Sequence, residues 1–168
     1  VRAGRPAADA TALIGTVGAR PRGYDLAMPI RIEATVVNRE GSHEVDLATN
    51  GNAHAITVPP RTGGRGSGAN GGELLFAALA TCYCNDIYRE AARREIEVVG
   101  VHVHVSGTFG EAPGSVAEDV TYRATVEARA SREAIEDLMR HTDTVAEIQN
   151  TLRLGLPVTL SEIRAIPV

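Results

Sequence analysis

The sequence contains no lysine; all 17 of its basic side chains are arginine. That excludes Schiff-base chemistry, a lysine general base and the lysine of a phosphate-binding P-loop. Tryptophan is also absent and aromatic residues make up only 4% of the chain, so a core has to rest on Val, Leu, Ile and Ala. Positive charge is not in excess either. The formal net charge of −4 leaves no broad basic face of the kind that nucleic-acid binding needs. No apolar run approaches the roughly 20 residues of a membrane helix, and residues 1–23 lack the apolar stretch of a secretory signal. The expectation is a cytoplasmic protein with no nucleic-acid or membrane partner. Cys82 and Cys84 are too few for a disulfide framework, and no histidine stands at zinc-finger spacing from them.

What is present is the composition of an ordinary globular chain, 43% hydrophobic and 23% charged over 168 residues. Residues 1–27, rich in Ala, Gly, Arg and Pro, read as an N-terminal arm with one short helix over Ala7–Val17. The domain proper is then 28–168. From Ile30 the pattern has period two, with Ile30, Ile32, Ala34 and Val36 alternating with Arg31, Glu33 and Thr35, as in a half-buried strand. A turn at Arg39–Ser42 follows, then short strands over Val45–Leu47 and Ala53–Val58, the latter stopped by Pro59-Pro60. Asn70 and Glu73 form a capping-box pattern ahead of a helix over Glu73–Arg94. The middle of that helix is apolar nearly all round, which predicts burial on most sides. Strands are expected over Val98–Phe109 and Val120–Ala128, helices over Ser131–His141 and Thr144–Leu152, and a closing strand over Pro157–Leu160. The order βββ-α-ββ-αα-β defines an α+β fold.

Several patterns invite a chemical reading. Gly66-Ser67-Gly68-Ala69-Asn70-Gly71 matches a dinucleotide-binding loop in letters, but Pro59, Pro60 and Arg61–Gly64 separate it from its strand and no βαβ unit follows. A flexible loop leading into a helix explains it better. His102 and His104 project from one strand face, a spacing that binds metal in some folds, yet no third ligand is apparent in the sequence and no metal is expected. His43, His54 and His141 are isolated. Cys82 and Cys84 sit about 200° apart on their helix and cannot bridge each other. Cys82 lies on the apolar stripe, ten residues from the helix start, too deep for that helix's dipole to acidify it. Its activation calls for an arginine from another segment.

The stretch Glu73-Leu74-Leu75-Phe76-Ala77-Ala78-Leu79-Ala80-Thr81-Cys82 resembles the ELxxAAxxxC helix of the OsmC/Ohr family, the osmotically inducible and organic-hydroperoxide-resistance proteins. The Gly-rich loop before it and Asn150–Arg153 with Gly155–Val158 after it agree. The resemblance, over about 28–166, implies a two-layer α+β fold whose long central helices are buried in an intertwined homodimer. It also implies thiol-dependent reduction of organic hydroperoxides, with Cys82 as the reacting cysteine and Arg39 stabilising its thiolate. Two expected parts are replaced. The Pro-Glu ahead of the helix is Gly71-Gly72, and the second, resolving cysteine falls on Ala146, followed by Glu147. The activity implied is therefore a one-cysteine peroxidase regenerated by an external thiol or dithiol, with no cofactor. The alternatives are an OsmC-fold protein that binds an apolar small molecule at the dimer cleft without chemistry, and a redox-responsive module acting through Cys82.

Overall fold

The structure is a computed structural model, and it describes residues 29–164. The proposed arm and its helix over Ala7–Val17 lie outside the described residues. Three antiparallel strands come first: β1 (Ile32–Arg39), β2 (Ser42–Thr49) and β3 (Asn52–Ile56), in the order β1-β2-β3. Asn50 and Gly51 close the second hairpin with both φ angles positive, 50° and 82°, the conformation of the tight two-residue turns that match strand twist. A compact loop follows, in which the Gly68 amide donates to the Pro59 carbonyl at 2.7 Å and the Gly66 amide to Asn38 Oδ1 at 3.0 Å.

Helix α1 (Gly71–Arg93) begins at the expected cap: Asn70 Oδ1 accepts from the Glu73 amide, and Glu73 Oε2 accepts from the Asn70 amide. It lies across one face of a long hairpin, β4 (Val98–Phe109) and β5 (Ala117–Ala128), and so makes the second of two layers. Gly107 permits the close approach, because a Cβ there would stand 3.0 Å from both Phe76 and Val120. Helix α2 (Arg132–Val145), capped by Ser131, and helix α3 (Glu147–Leu154) pack back onto α1. The core consists of Tyr83, Ile87 and Ala91 of α1 with Leu138 and Ala146, closed by Val101, Val103, Tyr122, Ala124 and Val126 of the hairpin.

Three expectations differ from what forms. The helix predicted to end at His141 runs on to Val145, and α3 starts three residues later than read, because the backbone leaves helical geometry at Ala146, whose ψ is 113°. Pro157–Leu160 forms no strand and is left exposed, with Val158 97% and Leu160 77% accessible. Finally, α1 is buried on one side only: Leu74 and Tyr88 are 40% and 46% exposed. The first sheet makes no extended packing with the helices or with the second sheet, and all of β1 is exposed. The residues that would cover these surfaces are not within one chain's described fold.

Candidate active site

Cys82 sits in the middle of α1, partly buried, on the flank where α3 begins. One turn on, Asp86 lies on the same face, and its Oδ2 accepts from the Cys82 thiol at 3.4 Å. From α3, Glu147 brings Oε2 to 4.0 Å from the same sulfur. The other oxygens of the two carboxylates are held by one guanidinium: Arg89 Nη1 stands 2.8 Å from Asp86 Oδ1 and 3.1 Å from Glu147 Oε1. Thiol, two carboxylates and arginine thus form a closed ring of contacts. Asp86 is only 4% exposed, whereas the Glu147 side chain is 63% exposed, so the ring is dry at α1 and wet at α3.

The electrostatics follow from that placement. Burial pushes the Cys82 thiol above its ordinary value; the Ile148 amide opposes this, and the charges of Asp86 and Glu147 add to it. Burial likewise raises the Asp86 carboxyl, with Glu147 acting in the same direction and the thiol and Arg89 against it. Cys82 is therefore held as a thiol beside a carboxylate of raised basicity. Sulfur and the two carboxylates place three donor atoms within 4.8 Å of one another, a grouping that a metal ion could use, but Arg89 already supplies the cation there.

A second layer of charge supports the ring. Glu90, 3% exposed, receives Arg89 Nε at 3.0 Å and Arg93 at 2.7 Å, with His141 Nε2 at 3.4 Å. The two arginine bonds hold its carboxyl below the usual range. On the far side of α3, Asp143 accepts from the Tyr122 hydroxyl and, at 2.5 Å, from Arg153. Between these groups and the start of α1 lies a cavity of about 360 Å³ walled by Leu75, Phe76, Leu79, Val120 and Leu152. Gln149 borders it and anchors α3 by donating Nε2 to the Leu79 carbonyl at 3.0 Å.

Of the residues expected from sequence, Cys82 occupies this site and Arg39 does not. Arg39 ends β1 opposite Ser42 and makes no ion pair among the described residues. The arginine of the ring is Arg89, on the same helix as Cys82, and it contacts the two carboxylates rather than the sulfur. At Gly72, standing where the resemblance puts a glutamate, a Cβ would lie 2.9 Å from the Phe109 ring, so a side chain there would require that ring to shift. Glu73 is committed to the cap. Ala146 is fully buried in the core, and the next residue, Glu147, is the one that reaches the sulfur. Asp86 and Arg89 had a legible signal, their i+4 and i+7 spacing from Cys82, but the sequence alone does not distinguish them from a solvated helix end.

A family model described as "OsmC-like protein" matches residues 64–161. The chain belongs to that family. Among curated proteins nothing matches it. Among solved structures it is similar to an OsmC-like protein from Mycoplasma pneumoniae, at 15% identity over 76% of this chain and 89% of the other, with a TM-score of 0.55. A protein from Aquifex aeolicus VF5, described only as hypothetical, is similar at 16% identity, again over 76% and 89% of the two chains and with a TM-score of 0.55. An organic hydroperoxide resistance protein from Elizabethkingia anophelis shares 20% identity over 77% of this chain and 91% of the other, with a TM-score of 0.49. At these identities the likeness is one of fold. None of the helices among the described residues is long and apolar enough to cross a membrane.

Proposed function

We propose that this OsmC-like chain is a thiol-dependent reductase of organic hydroperoxides of the one-cysteine kind, working as a homodimer in the cytoplasm. The observation that carries the reading is the direct contact between the Cys82 thiol and the Asp86 carboxylate, with Ala146 where a resolving cysteine would otherwise stand and Glu147 beside it reaching the sulfur. Asp86 takes the thiol proton as the sulfur attacks the outer hydroperoxide oxygen. An S–O bond forms, the O–O bond breaks, and the proton passes to the departing alkoxide, giving an alcohol and a Cys82 sulfenic acid. One external thiol then displaces water to form a mixed disulfide, and a second releases Cys82 as its thiol, leaving the reductant oxidised. The cytoplasm keeps such thiols reduced. Arg39, exposed at the end of β1, would stabilise the thiolate only from a second copy, since within one chain it lies apart from the ring at Cys82.

The test is consumption of an organic hydroperoxide in the presence of a dithiol. Wild type should turn over, Cys82→Ser should not, and Cys84→Ser should behave as wild type. Loss of peroxide that survives in Cys82→Ser but not in Cys84→Ser would assign the wrong thiol. No turnover with any of several dithiols would end the peroxidase reading.

The cavity beside Leu75, Phe76 and Leu79 favours a second reading, in which the protein binds an apolar small molecule without chemistry. Binding of an apolar probe by a wild type that lacks turnover would support it.

A further inference from the structure

The cavity at the start of α1 has a polar atom on its border that nothing among the described residues satisfies. Three polar side chains stand on its wall: Tyr122, Arg153 and Gln149. Two of them are engaged by Asp143, which accepts from the Tyr122 hydroxyl and from Arg153 Nη2 at 2.5 Å, while Arg153 Nη1 donates to the Asp143 carbonyl at 3.0 Å. The charge of Arg153 is therefore balanced by its own neighbour. Gln149 differs. It is 3% exposed, its Nε2 is fixed on the Leu79 carbonyl, and its Oε1 has no hydrogen-bond partner. Turning the amide over would set oxygen against oxygen at Leu79, so Oε1 is the free end. Native structures pair the great majority of buried acceptors, and the cavity that Gln149 borders is a route by which a donor can arrive. Its volume of about 360 Å³ is more than twice the roughly 150 Å³ that takes a benzene ring. At about 30 Å³ for each water-sized group it holds about a dozen non-hydrogen atoms.

The geometry points to a binding site for a neutral aliphatic alcohol, its chain laid against Leu75, Phe76, Leu79 and Val120 and its hydroxyl donating to Gln149 Oε1. The inference rests on the reading that this cavity takes an apolar small molecule, and it adds the headgroup. The wall selects a hydroxyl by what it leaves unpaired. A carboxylate would bring negative charge against an acceptor oxygen, with the guanidinium on the wall already held by Asp143. An alkane or an ether would fill the volume and leave Oε1 without a donor. An ammonium group could donate, but a full charge in an apolar space is costly. A hydroxyl supplies one donor hydrogen and no charge. Cys82 is not on the wall, so binding needs neither its thiol nor turnover.

The experiment is an NMR titration of the full nitrogen-15-labelled chain with three probes: 1-octanol, heptyl methyl ether, which has as many heavy atoms but no donor, and octanoate. Saturable binding of one 1-octanol per chain is expected, with the side-chain amide signals of Gln149 moving. The ether should bind several-fold to about tenfold more weakly, as loss of one hydrogen bond to a buried acceptor does. Octanoate should also bind more weakly than the alcohol. Gln149→Leu should bring alcohol and ether to equal affinity. That change also releases the bond to Leu79, so the comparison of the two probes in wild type carries the test on its own. Ala117→Phe, which puts a ring on the cavity wall, should weaken both, and Cys82→Ser should change neither. Equal binding of alcohol and ether by wild type would overturn the hydroxyl contact while leaving the apolar-site reading in place, and binding of neither would end both. Octanoate binding more tightly than 1-octanol would make Arg153 the anchor and overturn the proposal, as would alcohol binding untouched by Ala117→Phe.

Discussion

At Cys82 the neighbours make opposite demands on the sulfur: two carboxylates keep its proton on, while Asp86, one of the two, is placed to remove it. Asp86→Asn separates these effects. Removing the charge lowers the thiol pKa, so alkylation of Cys82 by iodoacetamide at mildly alkaline pH should become several-fold faster. Removing the base should slow hydroperoxide reduction at least tenfold, within the usual range for general-base loss of about 10²–10⁴. Both rates moving together would mean that Asp86 acts only through its charge. In wild type the same alkylation should rise with pH on the alkaline side of 9.0, the ordinary thiol value, since burial raises it. Arg39 and Arg89 show what the sequence could tell at this scale. Cys82 was legible as the candidate thiol, and Arg39 lies apart from it within one chain. The ring around the sulfur was not legible, because Arg89 meets both carboxylates only through helix spacing combined with the arrival of Glu147 from α3, sixty-five residues from Cys82 in sequence.

Helix α2 is fastened to α1 by Leu138, which is completely buried, and by the Tyr83 hydroxyl donating to the Met139 carbonyl at 2.8 Å. Leu138→Ala should cost about 2–5 kcal/mol in chemical denaturation, as buried leucine truncations do. Asn70→Ala should cost about 1 kcal/mol by opening the capping box at the start of α1. Helix α3 is fastened by Asp143, whose carboxyl is pushed up by burial but held on balance below its ordinary 3.8 by hydrogen bonds from Tyr122 and Arg153. A carboxyl lowered on folding binds fewer protons in the native state. Its stabilisation is complete above 3.8 and is lost as the pH falls through the native value. Tyr122→Phe removes one of those bonds, so it should lose less stability than wild type over that acid range when the two are compared by denaturation. The elements were legible where local signals were strong, as at Asn70–Glu73 and Ser131. They were misread where tertiary contact decides. The sequence pattern left β2 as Val45–Leu47, whereas Asn50-Gly51 is itself the turn, and pairing with β1 and β3 carries the strand from Ser42 to Thr49.

At the scale of the molecule, two apolar surfaces among the described residues stand uncovered as continuous strips. Ile32 and Val36 stand out from β1, 74% and 56% exposed, and Leu154, Leu156, Val158 and Leu160 alternate along the final segment with 67% or more of each accessible. A second copy is the cover proposed for both. Light scattering should then give twice the 17.7 kDa chain mass, and Val36→Glu should reduce it to the monomer. A monomeric wild type would count against the intertwined homodimer and against any role for Arg39 at the thiol of another chain. The failure of Pro157–Leu160 to form its expected strand fits the same account, because alternation fixes which face of a strand is apolar but not which chain supplies the neighbouring strand.

Helix α3 has no side-chain cap; Ala146 at its start offers only a methyl group, and the first helical residue, Glu147, sets a carboxylate oxygen 4.0 Å from the sulfur of Cys82. The first turn of α3 therefore carries a carboxylate against an atom that belongs to another helix and can change its charge. A thiol can donate to that carboxylate and a negatively charged sulfur repels it, so the winding of these eight residues is tied to the chemical history of a single atom. Order in α3, followed by exchange of its leading amides, is in this sense a gauge of what has happened at Cys82.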